Sequence, residues 1–134
     1  FQEMIDDDNL IDKPERVTRL IFCTGKVYYD LRAYRDEHKL RNVAIIRIEQ
    51  LYPFNRDLLK QIVKRYPRAN KKWVWCQEEP LNMGAWSYLG PRREQTLGRH
   101  VRYAGRGRAS SPSTGSKAMH LREQKSLVED AFNV

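Results

Sequence analysis

The sequence predicts an α/β sandwich of three layers, built around a mostly parallel sheet. Short continuous apolar runs, which are typical of strands buried on both faces, alternate along the chain with longer segments of helical periodicity. The chain has 134 residues, a length that suits one domain with a single core. Strands that alternate with helices favour a sheet covered on both faces.

Apolar runs and turn residues place the strands. We predict three buried strands and a short fourth one, at residues 17–23, 43–48, 73–77 and 100–103. Thr24 and Gly25 are expected to end the first strand.

Helical spacing of apolar residues predicts four helices, at residues 26–38, 56–66, 83–96 and 117–132. The clearest stripe is in the second helix, formed by Leu58, Leu59, Ile62, Val63 and Tyr66. Asn82 is expected to cap the third helix. In the last helix, the residues expected to face the core are Leu121, Val128, Ala131 and Phe132.

The first residues differ in composition from the rest. Residues 1–15 carry six acidic residues and one lysine, although the whole chain has a formal net charge of +8. We therefore interpret residues 1–16 as a linker or strap from a preceding domain and residues 17–134 as a C-terminal α/β domain. Because the chain opens on Phe1 rather than methionine, we expect it to be the end piece of a larger protein, inactive alone.

The excess of basic over acidic residues is densest in residues 92–125, which hold nine basic and two acidic residues. Nucleic acid, an anionic membrane or an acidic ligand could each match such a charge. No recognition-helix motif or aromatic stacking signature accompanies it, so a solvated surface is favoured over nucleic acid. No apolar run approaches the roughly 20 residues that a membrane-spanning helix needs, and no membrane partner is predicted.

The residues that usually carry catalysis do not form a pattern here. Cys23 and Cys76 lie in separate apolar runs without metal-ligand spacing, which indicates buried structural thiols. His38, His100 and His120 are far apart and lack neighbouring ligands. No serine lies in a nucleophile elbow. We predict no catalytic, cofactor-binding or metal-binding residue in this chain.

Two adjacent carboxylates, Glu78 and Glu79, follow the third predicted strand. Neighbouring residues at a strand end point to opposite faces, so the pair is not expected to share one site. Contact with the next helix or with another subunit is favoured over catalysis. The candidates for an interface are Glu78, Glu79, Trp86, Tyr52 and Phe54.

A basic, hydroxyl-rich loop follows the fourth predicted strand. Guanidinium groups, hydroxyls and helix-start amides are the donors that a phosphate or an acyl-CoA nucleotide requires. The candidate effector-binding residues are Arg102, Arg106, Arg108, Ser110, Ser111, Ser113 and Lys117. The alternative is a solvated loop whose arginines pair with acidic neighbours, and the sequence leaves both open.

Four blocks of sequence carry a resemblance to a known family. They are residues 24–31, 47–54, 73–86 and 103–115, and the likeness runs from about Val17 to the end of the chain. In these blocks the chain resembles the C-terminal domain of the thiamine-diphosphate-dependent decarboxylase component of 2-oxoglutarate dehydrogenase. The arginine-rich stretch from Pro91 to His100 does not align with that pattern.

The resemblance implies a transketolase-like C-terminal domain within a homodimeric oxidoreductase of the tricarboxylic acid cycle. It implies that the full-length protein decarboxylates 2-oxoglutarate with thiamine diphosphate and Mg²⁺, both bound outside this chain. The succinyl group would then pass to the lipoyl group of the dihydrolipoyl succinyltransferase core of a multienzyme complex. It also implies an assembly role for this domain and an AMP or acetyl-CoA effector.

Two other functions stay open. One is the same domain of a 2-oxoadipate dehydrogenase decarboxylase component, and the other is a free-standing anion- or nucleotide-binding α/β module. The expected location is the cytoplasm if the protein is bacterial, which is favoured, and the mitochondrial matrix if it is eukaryotic.

Overall fold

The computed structural model describes residues 3–7, 12–50, 54–70, 72–79, 81–90, 93–106 and 117–133. The strands in these ranges are β1 (Met4–Ile5), β2 (Arg19–Cys23), β3 (Val43–Ile48), β4 (Lys72–Gln77) and β5 (Arg102–Gly105). The helices are α1 (Val27–Glu37), α2 (Arg56–Val63), α3 (Gly84–Leu89), α4 (Arg93–Leu97) and α5 (Lys117–Phe132). A short 3₁₀ turn covers Pro14–Arg16.

The strands form one sheet in the order β1-β3-β2-β4-β5. Strands β2 to β5 are parallel, and β1 runs antiparallel along the edge of β3. Strands β2 and β4 are buried along most of their length, as their apolar composition predicts. This confirms the predicted mostly parallel sheet.

Alternate residues of each strand serve two separate cores. Leu20 and Phe22 of β2 belong to a cluster that also contains residues of α2, α3 and α4. Ile21 and Cys23 point the other way, into a cluster with residues of α1 and α5. The period-two alternation of a strand thus places helices on both faces and completes the predicted three layers.

The edge strand β1 is a feature that the sequence patterns do not predict. Met4 and Ile5 pair with Ile48 and Arg47 of β3, inside the segment interpreted as a linker or strap. The two acidic residues after it, Asp6 and Asp7, bind partners on opposite faces of the sheet. Asp6 accepts hydrogen bonds from Arg65 (2.6 Å) and Tyr66 (2.6 Å), at the end of α2.

Asp7 takes the other face. Its carboxylate is paired with Arg35 of α1 and accepts a hydrogen bond from the backbone N–H of Ile45 at 2.8 Å. Both partners of the ion pair are buried. The segment at residues 3–7 is therefore integrated into the fold, while its relation to a preceding domain stays a prediction.

Four expectations about local structure are corrected. The fourth strand lies at Arg102–Gly105 rather than at residues 100–103, because it pairs with β4 from Val74 to Gln77. The single helix at 83–96 is wrong: α3 ends before Gly90, whose φ of +62° is a left-handed backbone conformation. The remaining segment starts again as α4.

The other two corrections concern single side chains. Asn82 is not the cap of α3, since the capping position is occupied by Met83. Leu121 does not face the core but is 59% exposed, because the buried residues of α5 fall in its second half, at Leu127, Val128 and Ala131.

Candidate functional site

The candidate site lies at the carboxyl ends of β2, β4 and β5. The connections from β2 to β3 and from β3 to β4 lead to opposite sides of β2, so the direction of winding reverses beside this strand. In open α/β sheets, ligands and partners bind at such a reversal, in the crevice outside the carboxyl ends of the strands. Glu78 and Glu79 follow Gln77 at this edge, and Arg106 follows Gly105.

Gln77, the last residue of β4, organises one side of the site. Its side-chain oxygen accepts hydrogen bonds from Trp75 Nε1 (3.1 Å) and from the backbone N–H of Trp86 (2.9 Å). Its Nε2 donates to the carbonyl oxygens of Glu79 (3.0 Å) and Met83 (2.8 Å). The amide is fully buried, and it supplies the side-chain cap that Met83 cannot give to α3.

Glu79 sits against the start of α3. A Cβ atom at Gly84 would lie 3.0 Å from the Cβ and 3.1 Å from Oε2 of Glu79, and Gly84 has a φ of +71°. Glycine is therefore required here by both the backbone conformation and the close approach. Glu79 remains exposed to solvent.

Glu78 belongs to a different network, on the side of α5. Gln124 of α5 donates through Nε2 to Glu78 Oε1 (2.8 Å) and to Asp30 Oδ2 of α1 (2.8 Å). One amide thus joins α1, α5 and the end of β4. The two adjacent glutamates contact different layers, as the alternation of strand residues predicts.

Arg106 closes this network from the end of β5. It donates to Glu123 Oε2 (2.9 Å), to Gln124 Oε1 (3.1 Å) and to the carbonyl oxygen of Glu78. Its Nη2 also lies 3.2 Å from Nδ1 of His120. With 10% of its side chain exposed, this guanidinium is held mainly by the protein itself.

The guanidinium group of Arg102 is also held by groups of the protein. Its Nη2 donates to the carbonyl oxygens of Asp130 (2.7 Å) and Asn133 (2.6 Å), and Nη1 lies 3.3 Å from Asp130 Oδ2. A cation in this position satisfies the free carbonyls at the end of α5 and complements the helix dipole.

The other predicted site residues that the structure describes differ in how far they are exposed. Lys117 is exposed at the start of α5, and Phe54 is half-buried before α2. Trp86 is only 6% exposed and packs near Trp75 and Tyr103, so its side chain offers little surface to a partner. Predicted residues outside the described ranges are Tyr52, Arg108, Ser110, Ser111 and Ser113.

Several residues of the site were missed by the sequence patterns. Gln77, Gln124 and Glu123 carry the two hydrogen-bond networks, yet no motif or spacing distinguishes them. The one available signal was that Gln77 is a polar residue directly after a buried apolar strand, at the edge where sites form.

Comparison with known proteins identifies the family. The family model described as 2-oxoglutarate dehydrogenase C-terminal matches residues 1–132. The chain belongs to this family. It is 45% identical to "2-oxoglutarate dehydrogenase, mitochondrial" of Caenorhabditis briggsae, over 100% of this chain and 13% of that protein. To the protein of the same name from Dictyostelium discoideum it is 42% identical, over 91% of this chain and 12% of that protein.

A bacterial relative shows a similar match. The "2-oxoglutarate dehydrogenase E1 component" of Rickettsia typhi is 40% identical over 98% of this chain and 14% of its own length. The chain thus spans about an eighth of the curated relatives it matches.

The fold of this member of the 2-oxoglutarate dehydrogenase C-terminal family is shared with a transketolase. A solved structure titled "Split gene transketolase, inactive beta4 tetramer" matches with a TM-score of 0.54 and 12% identity, over 87% of this chain and 39% of that chain. This confirms the predicted transketolase-like fold.

Within the described ranges, no group of three or more His, Cys, Asp or Glu residues is arranged to hold a metal ion. Among the helices described, none has the length and apolar character to cross a bilayer.

The buried thiols of this family member make its stability sensitive to alkaline pH. Burial raises the pKa of Cys23 well above its usual value and the pKa of Cys76 to about 12. A raised folded-state pKa stabilises the fold fully below the unfolded pKa, near 8.5, and this stabilisation is lost as pH rises. We expect the free energy of unfolding to fall between pH 8.5 and 12, by up to about 1.4 kcal/mol per pH unit for each thiol.

Urea unfolding followed by circular dichroism at pH 8, 9.5 and 10.5 measures this slope. The matched control is the Cys23→Ala/Cys76→Ala double variant, whose slope should be shallower because only its tyrosines and lysines titrate. Equal slopes for the two proteins would contradict the prediction.

Proposed function

We propose that this chain forms the C-terminal domain of an E1 component that decarboxylates 2-oxoglutarate with thiamine diphosphate and Mg²⁺. The complete protein would transfer the succinyl group to the lipoyl group of a dihydrolipoyl succinyltransferase core, within the multienzyme complex of the tricarboxylic acid cycle. The observation that carries this proposal is the family match over residues 1–132, with relatives at 40–45% identity. The location is the mitochondrial matrix or the bacterial cytoplasm, according to the source.

Among the described residues, the carboxylates at the carboxyl edge do not fit a site for Mg²⁺. Such a metal ion needs carboxylate oxygens that are free to bind it. Glu78 and Asp30 accept hydrogen bonds from Gln124, and Glu123 is paired with Arg106. We therefore assign no cofactor role to these residues and derive no catalytic step from them.

The activity is tested on the complete protein that contains this chain. We expect thiamine-diphosphate- and Mg²⁺-dependent reduction of an artificial electron acceptor with 2-oxoglutarate, and much slower reduction with 2-oxoadipate. Faster reduction with 2-oxoadipate would favour the 2-oxoadipate enzyme instead. The 134-residue chain alone is the control and should turn over neither substrate. Turnover by this chain alone would contradict the proposal.

For the domain itself we propose an assembly role in a homodimer, with its carboxyl edge facing the rest of the protein. Two hydrogen-bond networks join β4, β5, α1, α3 and α5 across the described part of this edge. Glu79 is an exposed carboxylate at this edge, whereas Glu78 and Asp30 are engaged by Gln124. A rigid edge with an exposed acid suits a specific contact with a basic partner surface.

The assembly role predicts an effect of charge reversal at Glu79. In the complete protein, Glu79→Arg is expected to weaken dimerisation at least tenfold, measured by analytical ultracentrifugation, because a contact with a basic surface becomes a repulsion. Glu37→Arg reverses an exposed charge at the far end of α1 and should leave the dimer unchanged. An unchanged dimer in both variants would contradict an interface at Glu79.

Binding of an AMP or acetyl-CoA effector to the basic loop stays a proposal. Because Arg102 and Arg106 already have protein partners, an anionic effector would have to compete with Glu123 and Asp130 for them. Calorimetric titration of the complete protein is expected to show binding that Arg106→Ala weakens and that Arg122→Ala, an exposed control on α5, does not. No heat from either ligand would contradict the proposal.

A further inference from the structure

A second concave surface lies on the opposite edge of the sheet from the candidate site. It is a groove of about 390 Å³ between α2, the start of β4 and the end of α4. Its apolar surface is formed by Leu59, Val63, Tyr66, Trp73 and Leu97. Pockets of this size with an apolar lining and a few polar groups are typical of small-molecule sites.

The charged residues that line the groove, among those described, are all basic. Among the described residues that line it, Arg56, Lys60, Lys64 and Arg99 are basic, and none is acidic. Lys60 and Lys64 are exposed and one helical turn apart on α2. Arg56 bridges to α4 by donating through Nη2 to the carbonyl oxygen of Gln95 at 3.0 Å. Such a concentration of positive charge favours an anionic ligand.

Arg99 is the residue that points to a ligand. Its guanidinium lies over the indole ring of Trp73, with 4.8 Å from Cζ to the ring centroid. Its Nη1 is buried and has no hydrogen-bond partner among the described residues. A buried N–H without an acceptor is costly, so the Arg99 guanidinium would gain from an oxygen acceptor in the groove once its side chain turns toward it.

The surroundings of Arg99 are fixed in place. Trp73 Nε1 donates to the carbonyl oxygen of Ala69 at 2.7 Å, which holds the indole ring. Before Arg99, Leu97 is buried, and Gly98 turns the chain with a φ of +87°. The cation is thus presented by a rigid aromatic surface and a tight turn, which reduces the ordering cost of binding.

We propose that this groove binds an organic acid with an apolar body. The anionic group pairs with Arg99 and the lysines of α2, and the hydrocarbon body covers Leu59, Val63 and Leu97. Charge selects the acid over its neutral analogue, and the apolar floor selects it over inorganic anions. This site is separate from the carboxyl edge and does not depend on the function proposed above.

Octanoate and octanamide form a matched pair of probes, since they differ mainly in charge. The readout is the ¹H–¹⁵N spectrum of the 134-residue chain, in which the indole N–H of Trp73 and the amide of Gly98 report on the groove. We expect saturable shifts of these two signals with octanoate and at least tenfold weaker binding of octanamide. Equal affinities, or no shift at millimolar octanoate, would overturn the proposal.

Three variants locate the site. Arg99→Gln is expected to lower the affinity for octanoate at least tenfold, and Val63→Phe, which fills the groove, should abolish binding of both probes. Lys125→Gln removes an exposed charge on α5 and should change nothing. Dispersed spectra confirm that each variant is folded. Unchanged binding in Arg99→Gln would overturn the proposal. Shifts of the Trp73 signal that depend on protein concentration alone would also overturn it, because they indicate a second copy of the chain in the groove.

Discussion

Asp7→Ala is expected to lower the free energy of unfolding by about 3–5 kcal/mol, the usual cost of removing one partner from a buried ion pair. The carboxylate of Asp7 is buried against Arg35, and it also accepts the backbone N–H of Ile45. Its removal leaves the Arg35 guanidinium buried, with the carbonyl oxygen of Val43 at 3.4 Å as its remaining buried acceptor among the contacts described. Urea unfolding followed by circular dichroism measures the loss.

The matched control is Asp36→Ala. Asp36 also lies near Arg35, with 3.7 Å between Nε and Oδ1, but its side chain is 63% exposed. Solvent screens such a pair, so the change should stay within about 0.5 kcal/mol. Adding Arg35→Met to Asp7→Ala should recover part of the loss, because no unpaired buried charge then remains. If Asp7→Ala and Asp36→Ala cost the same, the segment at residues 3–7 is not held as the structure describes.

This ion pair also explains why the first strand could not be predicted. Met4 and Ile5 are two apolar residues between acids, too short a run for any periodicity. The strand exists because β3 offers a free edge and because Asp6 and Asp7 find partners that are distant in sequence, just after α2 and on α1. Long-range partners of this kind leave no local signal.

The central strands were predictable for the opposite reason. β2, β3 and β4 are continuous apolar runs, and burial on both faces of a parallel sheet demands that composition locally. The break between α3 and α4 was missed although it has a local signal: Pro91 follows Gly90, and a glycine–proline pair marks a turn and disfavours the helical conformation at the residue before the proline.

The candidate site, too, could be predicted from the sequence only in part. That Glu78 and Glu79 face different layers followed from strand alternation alone. The role of Gln77 did not, because two of its partners are carbonyl oxygens and a third is a backbone N–H, groups that every residue carries. Which backbone groups a buried amide meets is decided by the turn that follows β4.

Gln77→Leu is the second variant with a large expected effect. Leucine has a similar volume but cannot form hydrogen bonds, so it removes the side-chain oxygen that accepts from the buried indole N–H of Trp75 and from the backbone N–H of Trp86. Each stranded group costs about 1–3 kcal/mol. We expect the free energy of unfolding to fall by about 3–4 kcal/mol in total, measured by urea unfolding.

Gln124→Leu provides the control, since it removes a glutamine of the same site whose carboxylate partners, Asp30 and Glu78, are not fully buried. Water can replace those bonds, and Arg106, whose Nη2 donates to the Gln124 oxygen, keeps Glu123 and the carbonyl oxygen of Glu78 as acceptors, so the loss should stay below about 1.5 kcal/mol. The two variants also separate two roles of the site. Only Gln77→Leu should release the start of α3, and the indole N–H signals of Trp75 and Trp86 should then shift or broaden before global unfolding. Indole signals unchanged in Gln77→Leu, with a loss no larger than that of Gln124→Leu, would show that the turn after β4 holds itself without this amide.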